Sequence, residues 1–209
     1  MITLPLLFAA VVGFGHAFEV DHLLAVSNIV TRRKTLWEAL KDGIYWGLGH
    51  TSTILIIGVL MILAKLGISE QTFHFFEAGV GVMLVVLGIQ RIRKTWEHEK
   101  WHADQHHHLQ AHDHRLAYGV GLVHGLAGSG ALVLLVMTEI KEALPAVLYL
   151  LVFGLGSIAG MLLASGVFSL PFSQKLADAG PWRWRFTLLS SLLCMIVGGK
   201  VIWENLMSN

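Results

Sequence analysis

The stretch "GFGHAFEVDHLLAV", residues 13–26, decides the reading: four titratable side chains, His16, Glu19, Asp21 and His22, interrupt an otherwise apolar run. Such a load at hydrocarbon depth is costly, and intramembrane ionisable residues mark functional sites. On an ideal helix His16, Glu19 and His22 form one stripe, whereas Asp21 lies about 140° from His16. One straight helix cannot aim all four inward. Gly13 and Gly15 just before them permit a local break, and discontinuous helices are where transporters build ion sites.

Working outward, the composition points to lipid as the solvent. The 209 residues are 55% hydrophobic and only 14% charged, against about 25% charged in ordinary soluble domains. At roughly 20 apolar residues per span, the length allows about six spans with short loops. Apolar runs place them near residues 3–29, 43–64, 73–92, 116–138, 143–168 and 186–206. The opening segment Met1–Val12 lacks a basic region or a small-residue cleavage site and reads as part of the first span, not as a cleaved signal. The net charge of +1 gives no argument for a nucleic-acid partner, and Cys194, the single cysteine, excludes an intrachain disulfide or a thiol relay.

Basic residues alternate between loops. Arg32, Arg33, Lys34 and Lys41 follow the first span, Lys65 the second, and Arg91, Arg93, Lys94, Lys100 and Arg115 the third. Lys141 follows the fourth span, and Lys175, Arg183 and Arg185 the fifth. The positive-inside rule puts loops one, three and five in the cytoplasm and both termini outside, as in a multi-pass protein of the cell (inner) membrane.

The two halves resemble each other at a nearly constant offset. His16 aligns with His124 (offset 108), Gly47 with Gly154 (107), and Gly88 with Gly198 (110). A repeat of three spans enters the membrane from the opposite side in its second copy. The expected fold is therefore an all-α polytopic membrane protein, six transmembrane helices in a 3+3 inverted repeat. Its parts are a first repeat (1–94), a histidine-rich cytoplasmic loop (95–115) and a second repeat (116–209).

The candidate ligands are His16, Asp21, His22 and His50, with Glu19 and His124 as further members. Imidazole with carboxylate suits Ni²⁺, Co²⁺, Zn²⁺ or Fe²⁺, whereas Mg²⁺ and Ca²⁺ prefer oxygen alone. Glu19 and Asp21 also have the chemistry of proton carriers. A buried structural histidine is an equal alternative for His124. The third loop carries His98, His102, His106, His107, His108, His112 and His114 interleaved with acidic residues, the pattern of a low-affinity metal-binding tract.

His16-x4-Asp21-His22 resembles the signature of the nickel/cobalt transporter family, and "GLGHTST" with His50 resembles that family's second motif. Glu19 and Val20 stand where that signature usually has Asp-Ala. "HGLAGSGA" from His124 is similar to the compact urease-accessory and metal-resistance relatives, which include both importers and exporters. The resemblance implies metal roles for His16, Asp21, His22 and His50. It implies a substrate that is Ni²⁺ or Co²⁺ ahead of Zn²⁺, Fe²⁺ or Mn²⁺, with no catalytic cofactor. A cytoplasmic metallochaperone or apo-enzyme would be a natural recipient. The sequence contains no P-loop, so energy would come from an ion gradient or a partner. The competing reading is an intramembrane zinc hydrolase on the same ligands, with Glu19 as base. Glycine-rich faces permit an oligomer and demand none.

Overall fold

The computed structural model describes residues 3–30, 33, 35–64, 69–101, 114–127, 136, 140, 142–170 and 182–207, the side chains of 70, 97–101, 182 and 183 excepted. Among these residues seven helices follow in order. They are α1 (Thr3–His16), α2 (Val20–Val30), α3 (Leu36–Ala64), α4 (Glu70–Trp101), α5 (Arg115–Ala127), α6 (Ala143–Ser169) and α7 (Trp182–Leu206). Pro5 and Pro145 fall in the first turns of α1 and α6, where a missing N–H breaks no intrahelical bond.

The chain is an all-helical membrane protein. Segments Leu36–Ala64, Gln71–Trp96, Ala143–Ser169 and Trp184–Leu206 are each long and apolar enough to cross a bilayer. Helices α1 and α2 together make a fifth candidate, bent by 57° at a short break. Side chains such as Leu63 (69% exposed) and Ile196 (66%) point away from the protein, as lipid-facing groups do. Exposed Trp37, Trp96, Trp184 and Trp203 lie near helix ends, the level of the interfacial aromatic belt. The interior holds Ser157, Ser165, Ser191 and Asn28 beside aliphatic residues. Ser157 Oγ donates to its own helix at Phe153 O (3.1 Å), and Ser191 Oγ reaches across to Asn28 Oδ1 (3.1 Å).

The expected first span is thus two helices, and the expected second to sixth spans meet α3 to α7. Helices α3 and α4 run past the apolar windows, because a helix continues into the interface after its hydrophobic stretch ends. Of the expected fourth span, residues 116–127, in α5, and residue 136 are described; positions 128–135 and 137–138 lie outside the described residues.

Packing is pairwise and close. Helix α3 lies between α5 and α6, α1 packs on α6, and α4 packs on α7. Helix α2 sits centrally, touching α3, α4, α5, α6 and α7. Without a hydrophobic drive between helices in lipid, small residues and interhelical hydrogen bonds hold such contacts. A Cβ on Gly47 would fall 2.8 Å from Ile158 Cα. Thr51 Oγ1 donates to Gly154 O (3.1 Å) across α3–α6, and Thr53 Oγ1 to Leu122 O (3.1 Å) across α3–α5.

Candidate metal centre

The break between α1 and α2 builds the site. Phe18 N–H bonds to Gly15 O (2.9 Å) and Glu19 N–H to His16 O (3.1 Å), so α1 closes in tight turns before α2 starts on a new axis. His16 ends α1, and Asp21 and His22 open α2. The bend lets side chains that diverge on one straight helix face a common volume. The hinge sits at residues 17–19, not at the glycines. Gly13 lies against the Phe153 backbone of α6, so its missing side chain serves packing.

Halfway along α3, His50 enters the same volume, about 21 Å from either helix end at 1.5 Å per residue. His124 comes from α5. His22 is central: its ring centroid lies 4.6 Å from that of His16, 5.3 Å from His50 and 4.5 Å from His124. His22, His50 and His124 are buried to 1% exposure or less.

Two sets of donors come together. One donor atom each of His16, His22 and His50 lie within 4.8 Å of one another, and so do those of Asp21, His22 and His124. Glu19, half exposed, belongs to neither set. Its Oε1 accepts from His16 Nδ1–H (2.8 Å), which leaves the His16 Nε2 lone pair for a ligand. Asp21 Oδ1 does the same for His22 Nδ1–H (3.1 Å). A carboxylate holding one ring nitrogen while the other binds metal is the usual support of a histidine ligand. His16 Nε2, His22 Nε2 and both ring nitrogens of His50 and His124 are buried without a hydrogen bond. Leaving a buried polar group unsatisfied costs about 1–3 kcal/mol, so six such atoms in one volume call for a ligand.

Trp46, which reading the sequence did not single out, packs beside the stacked rings of His22 (5.5 Å) and His124 (5.9 Å). One turn further back on α3 is a second missed cluster. Asp42, fully buried, accepts from Arg33 Nε (2.5 Å), Arg33 Nη2 (2.7 Å) and His114 Nδ1–H (2.6 Å). The His114 ring stacks on Tyr45 at 5.0 Å. His114, grouped from sequence with the histidine tract, thus belongs to a tie joining the ends of α2, α3 and α5. The i, i+4, i+8 spacing of Asp42, Trp46 and His50 was the available signal. His102, His106, His107, His108 and His112 lie outside the described residues, as does the side chain of His98.

Fold and site together define a helical membrane protein with four to five candidate spans among the described residues and a buried histidine–carboxylate cluster at a broken helix. The chain is 41% identical over 176 residues to the urease accessory protein UreH of Bacillus sp. strain TB-90, covering 78% of this chain and 75% of that protein. It is 28% identical over 94 residues to the nickel transporter NixA of Staphylococcus aureus, covering 40% of this chain and 27% of that protein. It is 25% identical over 192 residues to the chloroplast protein FOR GROWTH AND FERTILITY 2 of Arabidopsis thaliana, covering 87% of this chain and 51% of that protein. No family profile and no solved structure matches the chain. The chain belongs to the nickel/cobalt transporter superfamily, in its compact urease-accessory branch.

Proposed function

We propose that this protein is a permease for a divalent transition-metal ion, with Ni²⁺ or Co²⁺ as substrate, bound on passage by His16, Asp21, His22, His50 and His124. The observation that carries the reading is the convergence of buried, unpartnered imidazole nitrogens at the middle of α3. Imidazole-rich sites with one carboxylate suit nickel, cobalt and zinc. The names of two relatives, a urease accessory protein and a nickel transporter, put nickel first.

The transporter architecture is six spans in two inverted repeats, in an inner-membrane orientation with the termini outside. Its support is residue by residue. Gly121 lies against Trp46 O as Gly13 lies against Phe153 O, each pair the other's counterpart at offsets of 108 and 107. Gly49 approaches Tyr118 O and Leu122 N as Gly156 approaches Ala10 O and Phe14 N. Gly88 meets Ser191 O as Gly198 meets Gly81 O, at the offset of 110. Exchanging the halves maps α1–α6 onto α5–α3 and returns α3–α6 and α4–α7 to themselves. The cluster then sits at the repeat interface, where alternating access exposes a midplane site to each side in turn.

The test is flux in proteoliposomes comparing Ni²⁺, Co²⁺, Zn²⁺, Fe²⁺ and Mn²⁺ against empty liposomes. Transport of nickel or cobalt is expected. No flux of any of the five from active-oriented, monodisperse protein would overturn the permease reading.

A further inference from the structure

Resting on the transport reading, we infer that the ion occupies two successive positions that share His22: an outer-half triad of His16, His22 and His50, and an inner-half triad of Asp21, His22 and His124.

The donors themselves separate in this way. A metal–nitrogen or metal–oxygen bond is about 2.0–2.2 Å, so donors of one shell lie within roughly 4 Å of each other. Among the described residues the five side chains fall into two groups of three, each within 4.8 Å, rather than into one group of five. His22 alone is in both. Asp21 faces the second group: Oδ1 is 3.1 Å from His22 Nδ1, and Oδ2 is 3.6 Å from His124 Nε2. His50 faces the first, its ring 5.3 Å from both His16 and His22.

The repeat gives the pair its sense. His16 and His124 are counterparts at an offset of 108, and the His22 ring is almost equidistant from them, at 4.6 and 4.5 Å. His22 therefore stands close to the axis that exchanges the halves. Because that exchange inverts sidedness, His16 and His124 approach from opposite membrane faces, and each triad takes the side of its own counterpart histidine. Helix α1 reaches His16 from the outer side, and α5 reaches His124 from the inner side, in the orientation proposed above. The triads also differ in charge. Three neutral imidazoles leave the ion's +2 intact, whereas Asp21 reduces it to +1. Asp21 Oδ1 holds His22 Nδ1–H (3.1 Å), which leaves Nε2 as the His22 donor in both triads. One nitrogen binds one ion at a time, so occupancy is one ion per chain, and His22 keeps hold of it while the other two ligands change.

The test uses Co²⁺ as spectroscopic probe on the purified full chain, with His50→Gln, His124→Gln and His22→Gln. Binding stoichiometry, X-ray absorption of the ligand set, and flux are measured on each monodisperse protein, with His→Asn variants as a second series. His50→Gln is expected to bind one Co²⁺ in a shell with carboxylate and two imidazoles. His124→Gln is expected to bind one in an imidazole shell that still includes His50. Both keep affinity within about tenfold of wild type and both lose flux. His22→Gln loses affinity by more than about a hundredfold, beyond the loss typical for a supporting residue. If His50→Gln and His124→Gln each abolish binding, or show the same ligand set, one converging site exists and the two-position inference fails while wild-type flux leaves the permease intact. Absence of both binding and flux in the wild type would instead sink the transport reading on which it rests.

Discussion

Asp42 is the residue whose replacement has the most calculable consequence. Its side chain is 0% exposed and its three hydrogen bonds all go to groups that carry or can carry positive charge, Arg33 (17% exposed) and His114 (10% exposed). Asp42→Asn keeps the shape and one acceptor oxygen but removes the charge, leaving the Arg33 guanidinium in a largely desolvated place. Breaking a buried pair by removing one partner costs about 3–5 kcal/mol. Arg33 has some access to water and Asn retains one bond, so the low end applies, about 3 kcal/mol. For a chain of this size that is a fall in melting temperature of roughly 6–12 °C. The double variant Arg33→Gln/Asp42→Asn removes both charges, and it should recover about 2 kcal/mol of the loss. Differential scanning fluorimetry on detergent-purified protein reads all four corners of the cycle. A drop below about 2 °C for Asp42→Asn, or strict additivity in the cycle, would refute the view that this pair ties the ends of α2, α3 and α5 together.

Gly198→Ala should be destabilising, because its Cβ would lie 2.6 Å from Gly81 O and 3.0 Å from Leu84 Cβ. Overpacking of that kind costs about 1–3 kcal/mol, whereas Gly199→Ala, with nothing within 4 Å, should shift the melting temperature by less than about 2 °C; the same fluorimetry separates them. Cys194, buried against Leu84 O at 3.3 Å, should resist maleimide in folded protein. In intact cells an impermeant maleimide should label Ser69→Cys and spare Trp37→Cys until the membrane is permeabilised; the reverse pattern inverts the proposed orientation. Deleting residues 102–113 should leave nickel flux at saturating metal within about twofold, and lower it only at limiting metal, as expected for a low-affinity tract.

The membrane class and five of the helices were legible because long apolar runs have few alternatives. That His16 and His22 would lie beside His50, and Asp21 beside His22, was legible in the density of titratable groups within one span, whereas their role as metal ligands is the proposal made above. The break was legible but its position was not: Gly13 and Gly15 permit one, yet it falls at residues 17–19, since glycine signals both bending and close packing, and Gly13 is used for the second. Asp42 was invisible because it lies one residue before the apolar run of α3 and beside Lys41, where it reads as a loop charge. His114 was absorbed into the histidine tract by composition. Only a contact across 72 positions of sequence gives it a different role, and no local pattern encodes that. Trp46 looked like any aromatic in a span until its neighbours His22 and His124 were placed beside it.

In the transport mechanism proposed above, nickel crosses the bilayer by way of His22. Radiotracer nickel uptake into proteoliposomes, with wild type and His22→Gln at matched protein content and matched melting behaviour, tests it most directly. The account predicts time-dependent uptake by the wild type and a rate for His22→Gln indistinguishable from empty liposomes. Uptake by His22→Gln at more than about half the wild-type rate would contradict it.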